Sequence, residues 1–379
     1  MLLFRKRFPL ITFLSVLLCV SLVFTVKADA AMWNQTYGGT EEDFGRSVVE
    51  TSDGGYAVAG KTESFGSGSS DFWLVKTDVN GTMVWNQTYG GISWDEGLSV
   101  VETVDGGFAL AGVTQSFGAG HGDFWLVKTD VNGTMVWNQT YGGIQEDFGR
   151  SVVETSDGGY AIAGYTLSFG SGGSDVWLVK TDANGAEEWN QTYGGTYGEF
   201  GFSVVETGDG GFALAGSTAS YGAGGYDFWL VKTNASGTLQ WNQTYGGTNR
   251  DEAYSMVQTS DGGYAITGVT FPFDNVKSDV WLVKTDVNGT MEWNQTYGGT
   301  SNELGGNSVM ETSDGGYAIA AITASYGAGG NDVWLIKTDE YGIIPEFHFW
   351  IILPLLMIAP LFTLILKKKG FRHLLNLVT

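Results

Sequence analysis

Six carboxylates return at one spacing along this chain: Asp43, Asp95, Asp147, Glu199, Asp251 and Glu303 stand 52 residues apart. Each sits just after a Gly-Gly pair, in what reads as a loop between two strands. If the fold brought them to one mouth, such a ring would bind hard cations, calcium above all, or a cationic ligand. The other reading is local. Each carboxylate would then cap its own strand entry by accepting backbone amides.

A second group lies where one repeat departs from the rest. Trp94 stands beside Asp95, His121 interrupts a glycine loop, and Tyr197, Tyr221 and Tyr226 cluster in the fourth repeat. In the fifth repeat Phe273 lies in a Phe-Pro-Phe segment. Aromatics exposed on a loop face stack on sugars or grip partners, whereas local packing is the plainer role for each. A third group pairs both signs of charge. Glu50, Glu102, Glu154, Glu206 and Glu311, with Gln258 in the fifth repeat, accompany Lys76, Lys128, Lys180, Lys232, Lys284 and Lys337. Sixfold repetition suits structural ion pairs better than a catalytic constellation. Catalysis has little support, since the repeats hold one histidine, no cysteine and no Gly-x-Ser-x-Gly elbow. No cofactor motif is present: the Gly-x-Gly stretches lack the helix that a phosphate loop needs.

The elements that must position these groups follow from the repeat itself. Trp-Asn-Gln-Thr-Tyr-Gly-Gly begins at Trp33, Trp85, Trp137, Trp189, Trp241 and Trp293. In the first repeat, stretches 47–51, 56–62, 72–77 and 82–89 have strand character, separated by Ser-Asp-Gly-Gly, a glycine-rich loop and Asp-Val-Asn-Gly. The second stretch is built of alanine and glycine, the third and fourth carry tryptophan. Small side chains fit where sheets converge on an axis and large ones where they splay apart, so the taper predicts a β-propeller. Both faces of the third strand are apolar, as a sheet between two neighbours requires. The fold class expected is therefore all-β, a six-bladed propeller of four-stranded blades. The phase of the repeat adds that residues 32–37 should complete the last blade as its outer strand and close the ring.

The Trp-Asn-x-Thr-Tyr-Gly-Gly and Asp-Gly-Gly-Tyr-Ala motifs resemble secreted archaeal and bacterial propeller repeats, distantly similar to Kelch and quinoprotein blades. The resemblance covers all six repeats and implies the propeller fold; the group carries no established common activity. Pro345-Glu346-Phe347, followed by an apolar span and basic residues, looks like an archaeal PEF-type sorting signal, which implies an archaeosortase-type sorting enzyme as a partner.

The chain ends differ from the repeats. Residues 1–30 read as a signal peptide, with Arg5, Lys6 and Arg7 before an apolar run and Ala28-Asp29-Ala30 as the cleavage site. Residues 31–344 form the propeller. In 345–379, an apolar stretch over 347–366 precedes Lys367, Lys368 and Lys369, the pattern of a transmembrane helix with a basic cytoplasmic tail. Setting the terminal charges aside leaves 11 basic and 39 acidic residues, a domain near −28. Such a surface repels nucleic acid and anionic lipid. Ten Asn-x-Ser/Thr sequons follow: Asn80, Asn132, Asn234 and Asn288 in hairpin turns, and Asn34, Asn86, Asn138, Asn190, Asn242 and Asn294 beside the repeat tryptophans. The chain is thus expected at the cell surface, membrane-anchored, recognising a polysaccharide, a surface protein or a cation through its loop face. The alternatives are a structural envelope glycoprotein and a carboxylate-dependent hydrolase or lyase.

Overall fold

The computed structural model describes residues 33–271 and 277–344. The signal peptide, the sorting motif, the apolar stretch over 347–366 and the basic tail lie outside them, as does Phe273. Within them the chain is all-β and forms six sheets in chain order, the blades of a propeller.

The first blade shows how the sequence builds each sheet. Strands β1 (Asp43–Glu50), β2 (Tyr56–Thr62), β3 (Asp71–Thr77) and β4 (Met83–Tyr89) pair antiparallel in order. Ser-Asp-Gly-Gly turns the chain from β1 to β2: Thr51 N–H donates to the Gly55 carbonyl at 2.9 Å, and Gly54 takes a φ of 81° that other residues resist. Strand β1 starts earlier than its residues suggest. It pairs with β2 from Asp43 onward through a register shift between Gly45 and Ser47, and a bulge of that kind breaks the two-residue alternation that sequence reading relies on. The recurrent carboxylates therefore open first strands rather than lying in loops. At the bulge Gly60 is obligatory, because a Cβ there would stand 1.7 Å from the Phe44 carbonyl oxygen.

The core lies between blades, not within them. Five apolar clusters repeat along the chain, each joining one blade to the next. In the first of them Phe72 meets Trp125 edge-on at 4.6 Å over Ala57 and Ala59, whose small side chains let the sheets approach near the axis. Outside this, Trp73 donates its indole N–H to the Asn86 side-chain oxygen at 3.1 Å, and the same bond recurs at Asn138, Asn190, Asn242 and Asn294.

The sixth blade differs from the others, and the expected closure is not formed among the described residues. Strands β21 (Glu303–Glu311), β22 (Tyr317–Thr323) and β23 (Asp332–Lys337) make a three-stranded sheet. Residues 33–37 are not paired with β23. They are held by side chains to the first blade instead, with Trp33 donating to Val79 O at 3.2 Å, packing on Tyr56 at 5.7 Å, and Tyr37 donating to Gly81 O. This copies what Trp85 and Tyr89 do on the second blade, so the segment stands where a preceding blade's outer strand belongs. What is missing is the seam between blades six and one. Val48 is 65% exposed where its counterpart Val100 is 4%, and Leu335 is 73% exposed where Leu74 is fully buried.

This asymmetry predicts unequal responses to one substitution. Val100→Asp places an unpaired charge in a packed seam and should cost about 3 kcal/mol or more. Val48→Asp at the equivalent exposed position should change stability by no more than about 0.5 kcal/mol. Urea unfolding of both variants compares them directly; equal losses would show that blades six and one pack together in solution.

Candidate functional site

The recurrent carboxylates are engaged locally. Asp95 is fully buried and accepts the Gly91 N–H at 2.9 Å and the Ser116 hydroxyl at 2.7 Å. Asp43 takes Gly39 N–H and the Ser64 hydroxyl, both at 2.8 Å, and also the Thr62 hydroxyl. Asp147 binds Gly143 and Ser168 at the same places, and Glu199 binds Gly195 N–H at 2.7 Å and Thr218 at 3.0 Å. Asp251 and Glu303 accept the amides of Gly247 and Gly299. Each of the six thus ties its own turn to its own sheet. Among the described residues, no group of three or more histidine, cysteine or acidic side chains gathers into a metal-binding cluster.

A second acidic set, not singled out in the sequence, stands beside the first. Asp71, Asp123, Asp175, Asp227, Asp279 and Asp332 open the third strands. The Asp71 Oδ2 atom accepts the Ser67 N–H at 2.6 Å and so pins the glycine-rich loop, as Asp123, Asp175, Asp227 and Asp332 do in theirs. The Oδ1 atoms of Asp71, Asp123 and Asp227 are buried without a hydrogen-bond partner. Gly90 makes room for this: a Cβ on it would stand 1.7 Å from Asp71 Oδ1 and 2.9 Å from Asp95 Oδ2. Burial, with the neighbouring carboxylate adding to it, raises the pKa of Asp71, Asp123, Asp175, Asp227 and Asp279. The signal available in the sequence was the unbroken Asp at the head of every third strand.

The charge pairs also differ from expectation. Lys76 reaches Asp53 of the Ser-Asp-Gly-Gly turn at 2.8 Å, not Glu50, and donates to the Thr77 carbonyl as well. Glu102 instead crosses to the preceding blade, accepting the Ser52 N–H at 2.7 Å and its hydroxyl at 2.9 Å. The lysines are therefore clamps within blades and the glutamates latches between them. The turn is the reason, since Thr51 and Gly55 already orient Asp53 toward the lysine.

A cavity of about 1000 Å³ lies on the axis, lined by first strands from all six blades. It is here that otherwise matching repeats disagree. The second position of the first strand reads Phe44, Glu96, Phe148, Phe200, Glu252 and Leu304, and the fourth reads Arg46, Leu98, Arg150, Phe202 and Tyr254 before the sixth blade's Gly-Gly-Asn insertion. Domain residues 31–344 contain three arginines, Arg46, Arg150 and Arg250, all on these strands or one residue before. Arg46 pairs with the buried Glu96 at 2.6 Å, and Arg250 with Glu252 at 2.6 Å, where the Tyr254 hydroxyl also donates at 2.8 Å. Aromatic rings complete the wall: Phe148 stacks on Tyr165 at 5.1 Å, and Phe202 meets Tyr254 edge-on at 5.4 Å.

The aromatics first considered for a ligand are scattered. Trp94 lines the cavity, 6.3 Å from Phe148. Tyr226 packs on Phe200 at 5.7 Å, behind the wall. Tyr221 lies over Trp229 and donates to Gly194 O, while Tyr197 and His121 are exposed on loops. Among the sequons, Asn80, Asn132 and Asn288 are exposed in hairpin turns and Asn234 is half-buried with its side-chain oxygen capping its own turn.

No protein-family model matches the chain. It is 29% identical over 165 residues to the regulatory protein FlaEY of Caulobacter vibrioides, a stretch covering 37% of this chain and 17% of that protein. Similar solved structures include Sqt1 from Chaetomium thermophilum, at 12% identity and a TM-score of 0.43, covering 79% of this chain and 72% of that one. A subtype N11 neuraminidase-like protein of A/flat-faced bat/Peru/033/2010 gives 12% and 0.46, covering 80% and 89%. A glucose dehydrogenase gives 12% and 0.46, covering 78% and 96%. These likenesses say nothing of activity.

The lysine-clamped turn aspartates and the aspartates that open the third strands respond oppositely to pH. Hydrogen bonds from a turn threonine, foremost at Asp209, and from the clamping lysine, foremost at the others, outweigh burial and hold Asp105, Asp157, Asp209 and Asp261 down at about 2, and the stabilisation, full above the ordinary carboxylate range, is lost as pH falls toward that value. The third-strand aspartates with raised pKa bind their protons more tightly when folded, so their contribution is full below the ordinary range and declines as pH rises through the raised values. Stability should therefore peak at mildly acidic pH. Urea midpoints from about pH 3 to about pH 8 test this, and Asp71→Asn should flatten the upper limb. A steady rise to neutrality would show that the third-strand aspartates ionise freely.

Proposed function

We propose that this chain is a cell-surface recognition propeller that takes a glycan into the cavity on its axis. One observation carries the reading. Repeats whose third strands agree almost residue for residue differ at the second and fourth positions of their first strands, around the cavity, and at the paired sixth position of the second strands, Lys61, Val113, Tyr165, Ser217, Val269 and Ile322. A purely structural array has no use for unlike side chains there, whereas a ligand without sixfold symmetry needs that symmetry broken. Rings such as Trp94, Phe148 and Tyr254 offer stacking faces, and Ser47, Ser99 and Ser151, whose oxygens accept the Val100, Val152 and Val204 amides, keep a hydroxyl hydrogen to donate, the mixture that sugar recognition uses. The signal-peptide pattern over 1–30 and the apolar span before Lys367 support display outside the cell, anchored by the C-terminal span or handed to a sorting enzyme. Calcium is not required by this reading, because the carboxylates first considered for it already accept turn amides and hydroxyls.

The full chain, screened against an array of envelope and extracellular polysaccharides, should retain at least one class. Phe148→Ala combined with Tyr254→Ala should weaken retention by about tenfold or more, since each stacking ring contributes on the order of 1 kcal/mol. Undiminished binding by that variant would move the site to the loop face. Capture of a surface protein in place of any glycan would replace the ligand class, binding of nothing would favour the structural envelope role, and cleavage of a retained polymer would make the chain a hydrolase or lyase.

A further inference from the structure

The first and third blades contain an internal control. Residues 43–50 and 147–154 are both Asp-Phe-Gly-Arg-Ser-Val-Val-Glu, so Arg46 and Arg150 occupy the same place on the same strand. What differs is the following blade. Arg46 meets Glu96, whose side chain is 8% exposed, at 2.6 Å. At the position of Glu96 the fourth blade carries Phe200. Of the three arginines in residues 31–344, Arg150 alone has no ion pair among the described residues, and its Nε is buried without a hydrogen-bond partner.

The surroundings of Arg150 are organised rather than empty. Its guanidinium lies 5.6 Å from the Phe148 ring, 5.8 Å from Tyr165 and 5.6 Å from Phe202. Three rings hold the fork in place while Arg150 lines the cavity. A guanidinium stays charged at every physiological pH, and a buried donor without an acceptor is costly. The Nε itself is shut off from solvent, so an anion entering the cavity would meet the two Nη groups, which are not among the buried unpartnered atoms.

We propose that Arg150 is an anion subsite that reads a carboxylate on a ligand whose ring body lies against Phe148 and Phe202. The planar fork matches a carboxylate with two parallel hydrogen bonds. A singly charged, planar anion suits the site better than a phosphate dianion, because the domain around it carries near −28. The subsite rests on the reading of the cavity as a ligand site, and within that reading it makes the glycan an acidic one.

The test uses benzoate and benzamide, which share a ring and differ in charge, titrated against the full chain with saturation-transfer NMR. Benzoate should bind about tenfold or more tightly than benzamide, the effect expected of a hydrogen bond to a charged group. Arg150→Met should erase that preference. Phe200→Glu, which supplies the counterion that Arg46 already has, should erase it too; Arg150→Met decides the matter if that variant fails to fold. Conversely Glu96→Phe should free Arg46 and raise the stoichiometry from one benzoate to two. Preference persisting in Arg150→Met overturns the subsite. Equal binding of both probes to the unaltered chain also overturns it but leaves the cavity as a ligand site, and binding of neither overturns it while glycan retention still stands on its own assay.

Discussion

A sheet with Phe72 and Leu74 on one face and Trp73 and Val75 on the other is apolar on both sides, and no four-stranded blade can cover itself. Only a neighbour on each side removes both faces from water. The packing of a third-strand phenylalanine or valine against the next blade's tryptophan is the contact on which the rest depends. It fixes the spacing between sheets, and the alanines beneath it set how closely they converge. Because the contact is made between blades, the repeats gain stability together, and the axis they surround is lined by whatever the first strands present.

Polar groups follow the same division of labour. Each strand-opening carboxylate has a turn to hold, each third-strand lysine an aspartate of a turn, and Glu102, Glu206 and Glu311 a serine on the previous blade, where Glu154 takes the Val104 amide instead. The strong negative charge of the domain is thus largely an accumulation of local fastenings, not a field built for one partner. Against that background Arg150 stands out, since its equivalent in the first blade is neutralised by a single neighbouring residue that the fourth blade replaces with a phenylalanine.

The blade order and the taper were legible because the repeat is nearly invariant: Trp85 and Trp73 announce outer strands, Ala57 and Ala59 an inner one. The start of the first strand was not, because the bulge at Gly45 hides Asp43 among loop residues. The lysine clamps were half legible. The sequence shows that charges recur together, but Asp53 and Glu50 both lie within reach of any reasonable guess, and only the turn geometry selects Asp53. The cavity was least legible for a physical reason. Attention falls on loops where a repeat is interrupted, while the informative differences, Arg150 against Leu98 or Phe202, sit inside strands and matter only once six of them are drawn around one axis.

The bare flank of β23 gives the molecule a direction. Among the described residues, blades two to five are welded on both sides, whereas the sixth has three strands, one neighbour, and Val333 and Leu335 facing water. In a chain of nearest-neighbour couplings the least-coupled unit opens most often. Fraying should then start at the C-terminal blade and move backward, so that β23 is the first strand to loosen and the cavity wall formed by blades two to four is the last to be lost.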